Sequence, residues 1–236
     1  YVVNPAGEIS GASGFAWGWT NVGSAKVPGQ MFAVGAQNTI YSMAWDPYTR
    51  YLYAAGAFTN IGGSNISRIA RFNGTNWINM GEGIKQFANA NAVLPIPGTP
   101  SVYAGGYFTN IGGANSKAVA KWAGTNWVAM GQGLFFAPYV NGYVNTMCSL
   151  SNGHLLVVGY FTNANYTLPG VNYAAVWTGN AWTNMAQGFR NLTYCAAQGR
   201  DGAIYVGGSF TNIEPREQAR DVNYIARWNG TAWTNV

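Results

Sequence analysis

The chain is poor in charge. Charged residues make up 8% of its 236 side chains, with 12 basic and 7 acidic residues, so the formal charge of +5 comes from scarce acids rather than abundant bases. No short window is basic enough to follow a phosphate backbone, and we expect no nucleic-acid partner. No apolar run approaches the about 18 residues of a membrane-spanning helix, and we expect no membrane span.

The chain is also poor in the residues that hold metals and cofactors. Its one histidine, His154, follows Ser151-Asn152-Gly153, which is typical of a tight, solvated turn between strands. One histidine and two cysteines make no zinc ligand set, and no calcium loop, nucleophile elbow, P-loop or dinucleotide fingerprint occurs. We therefore expect no metal and no cofactor, and we do not expect an enzyme.

What the chain has in place of charge is repetition. A Phe-Thr-Asn motif occurs four times and begins at Phe58, Phe108, Phe161 and Phe210. A second motif follows each copy and spans residues 69–77, 119–127, 174–182 and 225–233, each time ending in tryptophan. Residues 1–39 look like a degraded fifth copy, because Trp19-Thr20-Asn21-Val22-Gly23 stands where Phe-Thr-Asn-Ile-Gly is expected.

Each unit predicts four short strands separated by turn residues, and no helical period occurs. Units of about 40–50 residues with four strands are typical of propeller blades. Over residues 40–236 the chain resembles β-propeller repeats of the kelch and galactose-oxidase-like kind, and more narrowly the Gly-x-Phe-Thr and Ile-Ala-Arg-Trp-Asn-Gly-Thr-x-Trp repeats of secreted bacterial and viral proteins. The resemblance implies an all-β propeller of four-stranded antiparallel blades. It does not extend to a galactose-oxidase copper site, which needs two histidines.

The length of the chain fits a single propeller domain of five blades, and a larger ring cut short is the alternative. We place the blades at about residues 1–39, 40–84, 90–134, 143–188 and 192–236. Because the chain starts at Tyr1 rather than Met, we expect it to be part of a longer protein.

Two further expectations concern packing. Asn73-Gly74 predicts a two-residue hairpin turn, which would set Ala70 opposite Trp77, with the same pairing in the other repeats. The repeated tryptophans would then pack on the neighbouring blade. Cys148 and Cys195 fall at what looks like one position of the innermost strand, which predicts two free, buried and inert thiols.

Length variation falls on one face of the predicted disc. The loops between second and third strands, and the connections between blades, vary in length, whereas the other turns do not. Insertions in repeat proteins collect on the face that carries function. An aromatic connection, a nearby Tyr-rich loop and a charged octet (residues 214–221) lie on that face and supply the candidate ligand-binding residues: Phe135, Phe136, Tyr139, Asn141, Tyr143, Tyr166, Asn172, Tyr173, Arg216, Glu217 and Arg220.

Blander interpretations of these segments remain open. Phe135 and Phe136 could close the mouth of the central channel, and the octet could be a solvated, self-paired loop. A glycosidase needs two carboxylates facing one cleft, and of the chain's acids only Glu82, Glu214, Glu217 and Asp221 could lie on this face. Glu214 and Glu217 share one loop, which is a poor platform for a preorganised pair.

Three functions therefore follow, in this order. The first is a non-catalytic recognition or adhesion module of a secreted, cell-surface or virion protein, with a glycan or a protein surface as its partner. The second is a structural component of a larger extracellular or viral assembly, which would self-associate. The third is a carbohydrate-active enzyme.

Overall fold

The computed structural model describes residues 36–84, 88–136, 140–165, 168–186, 188–213 and 222–236. Within these ranges the chain forms four four-stranded antiparallel sheets whose strands pair in chain order, as the repeats predict. We number these sheets as blades I to IV. The described residues contain no helix with the length and hydropathy that crossing a membrane would require.

Four strands form each blade, and a small sheet lies between blades II and III. Blade I contains β1 (Ile40–Asp46), β2 (Tyr51–Gly56), β3 (Ile69–Phe72) and β4 (Trp77–Asn79). Blade II contains β5 (Asn89–Pro95), β6 (Val102–Tyr107), β7 (Val119–Trp122) and β8 (Trp127–Ala129). The small sheet joins β9 (Leu134–Phe135) to β12 (Asn163–Ala164) and β13 (Leu168–Pro169). Blade III contains β10 (Tyr143–Ser149), β11 (Leu155–Tyr160), β14 (Ala174–Trp177) and β15 (Trp182–Asn184), and blade IV contains β16 (Thr193–Gln198), β17 (Ile204–Gly208), β18 (Ile225–Trp228) and β19 (Trp233–Thr234).

The repeated tryptophans join neighbouring blades. The rings of Trp127, Trp182 and Trp233 are buried in the apolar layers between sheets, and the indole N–H of each of these three donates a hydrogen bond to the preceding blade. Trp127 Nε1 donates to the Met80 carbonyl at 2.7 Å. Trp182 and Trp233 repeat the bond to the carbonyls of Met130 and Met185 at 2.9 and 3.0 Å. The expected packing of tryptophan on the neighbouring blade is confirmed, with a polar anchor that satisfies the buried N–H.

The register of the last hairpin in each blade differs from the expected one. Phe72, rather than Ala70, lies opposite Trp77, and their rings are 5.2 Å apart. The loop therefore contains residues 73–76 instead of two residues. Asn73 Oδ1 accepts hydrogen bonds from the backbone N–H groups of Thr75 and Asn76 at 2.9 and 2.8 Å, and this side-chain cap stabilises the longer loop.

The two cysteines are not at equivalent positions. A β-bulge interrupts the pairing of the first two strands at the same place in every blade. Cys195 directly follows the bulge and lies opposite Gly207, whereas Cys148 lies two residues further along its strand, opposite Leu156. Both thiols are free, as expected. The expectation that both are buried is wrong for Cys195, which is exposed, and Cys148 is only partly buried.

The outer faces of the first and last described blades have no described sheet packed against them. Met43 and Trp45 on blade I are 61% and 58% exposed, and Ile225 on blade IV is 45% exposed. The predicted first blade lies outside the described residues except for residues 36–39. The count of five blades therefore stays a prediction.

Candidate functional site

The blades present two unlike faces. The turn face carries the loops between first and second strands and those between third and fourth strands, which span 73–76, 123–126, 178–181 and 229–232. The variable face carries the blade-to-blade connections and the loops between second and third strands, which span 57–68, 108–118, 161–173 and 209–224. The loops that differ in length thus lie together, as the sequence predicts.

One residue per blade is held in an uncommon conformation on the variable face, just before the third strand. We call these four residues the display positions, and they are Arg68, Ala118, Tyr173 and Tyr224. Their φ angles lie between 64° and 66°, in the left-handed region that residues other than glycine rarely adopt. The N–H of each donates to the carbonyl of the motif phenylalanine in its own blade, at 2.8–2.9 Å. The backbone is thus fixed while the side chain varies, being arginine in blade I, alanine in blade II and tyrosine in blades III and IV.

The aromatic residues of blade III lie together on this face. Phe136 stacks on Tyr160 with ring centres 3.9 Å apart and planes 14° apart, and Tyr143 stacks on Tyr160 at 5.2 Å. The ring of Tyr173, a display position, lies 6.2 Å from Tyr160. We call these four side chains the aromatic cluster. All of them are half-buried, so each keeps part of its ring accessible.

Two phenols of the aromatic cluster, those of Tyr143 and Tyr173, have a raised pKa and stay neutral over the physiological range. Burial raises the pKa of Tyr143, and the nearby Tyr194 and Tyr160 raise it further. Burial, followed by Tyr160, also raises the pKa of Tyr173. A neutral phenol both donates and accepts a hydrogen bond, so the rims of these rings suit a ligand rich in hydroxyl groups.

A cavity of about 930 Å³ opens on the same face and draws on blades I and II and on the connection into blade III. Its lining includes Thr59 and Arg68 from blade I, Tyr107 and Asn110 from blade II, and Asn141 from the connection. Amide, hydroxyl and guanidinium groups thus meet in one open depression.

The structure places the candidate residues from the sequence in different environments. Phe136, Tyr143 and Tyr173 join the aromatic cluster, Asn141 lines the cavity, and the half-buried Asn172 adjoins Tyr173. Phe135 is not available to a ligand, because it is 1% exposed and belongs to β9, where it pairs with Asn163 and contacts the Lys117 ammonium. Its expected place in the site is wrong. Five candidates lie outside the described residues: Tyr139, Tyr166, Arg216, Glu217 and Arg220.

Sequence reasoning missed three residues of the site. Tyr160 and Tyr107 each precede the phenylalanine of a Phe-Thr-Asn motif, and Arg68 precedes a third strand. All three occupy positions that vary between repeats, so a search for recurring residues does not find them. A search for a variable residue inside an otherwise constant motif would have found them.

The described carboxylates do not converge. Asp46 is buried and caps its own turn by accepting from the Tyr48 and Thr49 N–H groups, and Asp201 pairs with Arg227 at 3.2 Å. Both lie at the turn face. Glu82 is exposed in the connection after β4, on the variable face. Among the described residues no group of three or more metal-ligating side chains forms, and His154 lies in a turn, 3.2 Å from the Asn152 amide.

The chain resembles known propellers in sequence and in structure. Residues 52–75 match the model of a beta-propeller domain of unknown function, DUF5122. No curated protein matches the chain. The crystal structure of the GH74 xyloglucanase from Xanthomonas campestris superposes with a TM-score of 0.51 at 13% identity over 81% of this chain, which spans 29% of that enzyme. These findings support a β-propeller and do not favour kelch-type repeats in particular.

The comparison overturns the first functional expectation. The expectation of a non-catalytic recognition or adhesion module is wrong on this finding, because a solved propeller that matches the chain is a xyloglucanase, an enzyme. No finding supports the expectation that the chain is not an enzyme. At 13% identity the likeness itself shows only the fold, so any activity must be argued from this chain's own residues.

Proposed function

We propose that this chain is the propeller of a carbohydrate-active enzyme, and that a polysaccharide lies along its variable face. The observation that carries the proposal is that the aromatic cluster and a polar cavity lie on the same face. Sugar rings present apolar C–H faces that pack on aromatic rings, while their hydroxyls need directional partners. The cluster supplies the ring faces, and the cavity supplies the amides and hydroxyls.

Hydrolysis of a glycosidic bond needs two carboxylates on opposite sides of the bond. Glu82 is the described acid on the variable face, and it is the first carboxylate to test. Glu214, Glu217 and Asp221 lie outside the described residues. The xyloglucanase supports the proposal by being a propeller that acts on a carbohydrate.

The same proposal places this protein outside the cell or on a virion. Polysaccharides are met mainly in that setting, and a surface of low charge suits it. Secretion of the parent protein, followed by immunodetection in the culture medium, tests this part separately.

The aromatic cluster is tested by replacing one ring on each face. Tyr160→Ala removes the ring that stacks with two others, and Tyr48→Ala removes a tyrosine that is 61% exposed on the turn face. Affinity gel electrophoresis against a panel of neutral and acidic polysaccharides measures binding. We expect Tyr160→Ala to weaken binding about tenfold and Tyr48→Ala to leave it unchanged.

A fold defect in Tyr160→Ala is separated from a binding defect by Tyr173→Asn, which also removes a ring of the cluster. Asparagine tolerates the left-handed backbone at position 173, so this variant keeps the fold. Retention of wild-type binding by both variants would contradict the proposal, as would a wild type that binds no member of the panel.

Turnover is tested by release of reducing sugar from the polysaccharides that bind. Glu82→Gln should lower the rate at least about a hundredfold if its carboxylate takes part in the chemistry. Asp201→Asn, an acid of the turn face, is the matched control and should keep the wild-type rate. A wild type that binds polysaccharide but cleaves none would leave the surface intact and overturn the enzymatic part.

A further inference from the structure

The cavity beside blade I contains a fixed cation. The guanidinium of Arg68 lies at its wall, and Nε donates to the Ala88 carbonyl while Nη1 donates to Ser67 Oγ at 2.6 Å and to the Ile84 carbonyl at 3.3 Å. The partners belong to the loop before β3 and to the connection into blade II. These bonds hold the planar group in one orientation, which removes the entropy cost of ordering it around a ligand.

The charge of Arg68 is not neutralised within the described part of the chain. Its bonding partners are two carbonyls and a hydroxyl, and no described carboxylate pairs with it. Among the described residues Nη2 has no acceptor, so the N–H groups of that one nitrogen are open to a ligand. A cationic Nη2 is suited to an oxygen of a carboxylate or a sulfate, because a hydrogen bond between opposite charges is stronger than one between neutral groups.

The rest of the cavity wall suits an anion attached to a sugar. Its described lining contains no acid, and it contributes Thr59, Asn110 and Asn141, which bond to hydroxyls. Tyr107, 44% exposed, offers a ring face in the same space. The excess of basic over acidic residues in the whole chain adds a weak attraction for anions.

We propose that this cavity selects an acidic sugar unit, whose carboxylate or sulfate pairs with Arg68. The inference rests on the proposed function, since it names the class of polysaccharide that the variable face takes. The aromatic cluster would hold neutral ring faces, and the cavity would recognise the charged unit of the same chain.

The structure offers a matched control for Arg68. Arg50 is also left-handed, with φ of 58° against 66° for Arg68, but it is exposed in a loop of the turn face. Arg50→Asn and Arg68→Asn therefore remove the same charge from the same backbone conformation, and asparagine tolerates that conformation. Any difference between them comes from the position of Arg68 and its three hydrogen bonds, and not from the change in net charge.

The experiment is calorimetric titration of the full chain, made in a bacterial host so that Asn65 of the Asn65-Ile66-Ser67 sequence at the cavity carries no glycan. The probes are an oligogalacturonate, a sulfated galactan oligosaccharide and a neutral xyloglucan oligosaccharide. We expect the wild type to bind one or both acidic probes more tightly than the neutral one. Arg68→Asn should weaken acidic binding at least about tenfold and neutral binding less than about twofold, and Arg50→Asn should change neither.

Three outcomes would overturn the inference. Equal affinity for acidic and neutral probes would remove acidic selection while leaving the proposed function standing. Equal losses from Arg68→Asn and Arg50→Asn would assign the effect to net charge. Failure of the wild type to bind any probe or any polysaccharide of the panel would overturn the proposed function and this inference together.

Arg68→Lys separates a loss of ligand binding from a folding defect in Arg68→Asn. Lysine keeps the charge but loses the planar group and the bonds that orient it, so we expect acidic binding between that of the wild type and that of Arg68→Asn. Full wild-type affinity in both Arg68 variants, with unchanged thermal unfolding, would also count against the pairing. Preference between the carboxylate and the sulfate probe identifies which anion the cavity takes.

Discussion

The turn face and the variable face use glycine in the same left-handed conformation but surround it differently. A Cβ added to Gly74 or Gly230, in loops of the turn face, would meet no atom within 4 Å. A Cβ added to Gly133 or Gly188, in connections of the variable face, would lie 2.2 Å from a backbone carbonyl oxygen. The loops that repeat in sequence stand free in solvent, whereas the connections, which differ in length, are packed onto the neighbouring backbone.

This difference shows that variable length does not mean a loose loop. The carbonyls that crowd Gly133 and Gly188 belong to Lys117 and Asn172, the residues immediately before two display positions. The residues after these glycines, Leu134 and Phe189, donate backbone hydrogen bonds to the same two carbonyls at 3.1 and 3.0 Å. The connection therefore holds the display position in place, and length changes are absorbed elsewhere in the loop.

The largest expected effect comes from placing a methyl group at matched glycines of the two faces. Gly133→Ala forces a left-handed alanine against the Lys117 carbonyl, and we expect a loss of about 3 kcal/mol or more in the free energy of unfolding. Gly74→Ala carries only the backbone strain, about 1 kcal/mol. Urea titration of both variants measures the contrast, and equal losses would break the comparison between the faces.

A smaller loss of stability is expected from a substitution at the packed interface between blades I and II. Trp127→Phe deletes the N–H bond to the buried Met80 carbonyl and should lower the free energy of unfolding by about 2 kcal/mol. The control is Trp45→Phe, in which an exposed ring changes at little cost. Thermal and urea unfolding measure the stability of both variants. Similar losses in the two would argue against a stabilising role for the hydrogen bond from Trp127 to Met80.

Removing the cap of a free-standing turn should cost less still. Asn73→Ala loses two bonds to backbone N–H groups and should destabilise by about 1 kcal/mol without altering polysaccharide binding. Asn76→Ala, in the same loop, removes a side chain that makes no hydrogen bond within the described residues and should be neutral. A binding defect in either variant would mean that the turn face takes part in function.

The reactivities of the two cysteine thiols can be compared in the wild-type protein, without any substitution that alters its stability. They lie on innermost strands, between the faces. Burial raises the pKa of the Cys148 thiol, which lowers its thiolate fraction near pH 8, whereas Cys195 is exposed. We expect iodoacetamide to label Cys195 several-fold faster, with peptide mass spectrometry as the readout. Equal labelling rates would contradict this difference and would support the equivalent positions that the sequence suggested for the two cysteines.

Most of the fold could be predicted because it depends on residues that recur. The motif phenylalanines and final tryptophans mark every described blade, and all of them are buried. The register failed in all four blades, because a backbone bond from the first residue of the loop to the carbonyl of its fourth closes a longer loop than the Asn-Gly pair suggests, even where that first residue is Ala123. The cysteine alignment failed because Gly208, and not Gly207, is the counterpart of Gly159 beside the bulge, so Cys148 and Cys195 fall two residues apart.

Less of the site could be predicted, because it depends on contacts between segments far apart in the chain. The sequence identified the aromatic connection and placed it near the Tyr-rich loop, and the pairing of β9 with β12 brings them together. That same pairing buries Phe135, which an unpaired connection would have exposed. Arg68 was missed because its role depends on the carbonyls of the next connection, which only the folded chain brings to it.

The display positions make the variable face a natural starting point for protein engineering. At each one the backbone N–H is bonded to the motif phenylalanine carbonyl, and the backbone carbonyl accepts from the last glycine of the second-strand segment. Arginine, alanine and tyrosine all occur there, so the scaffold already accepts unlike side chains at one geometry. A library randomised at these four codons would diversify a single surface while leaving every strand untouched, and selection on immobilised glycans could redirect the protein to new ligands.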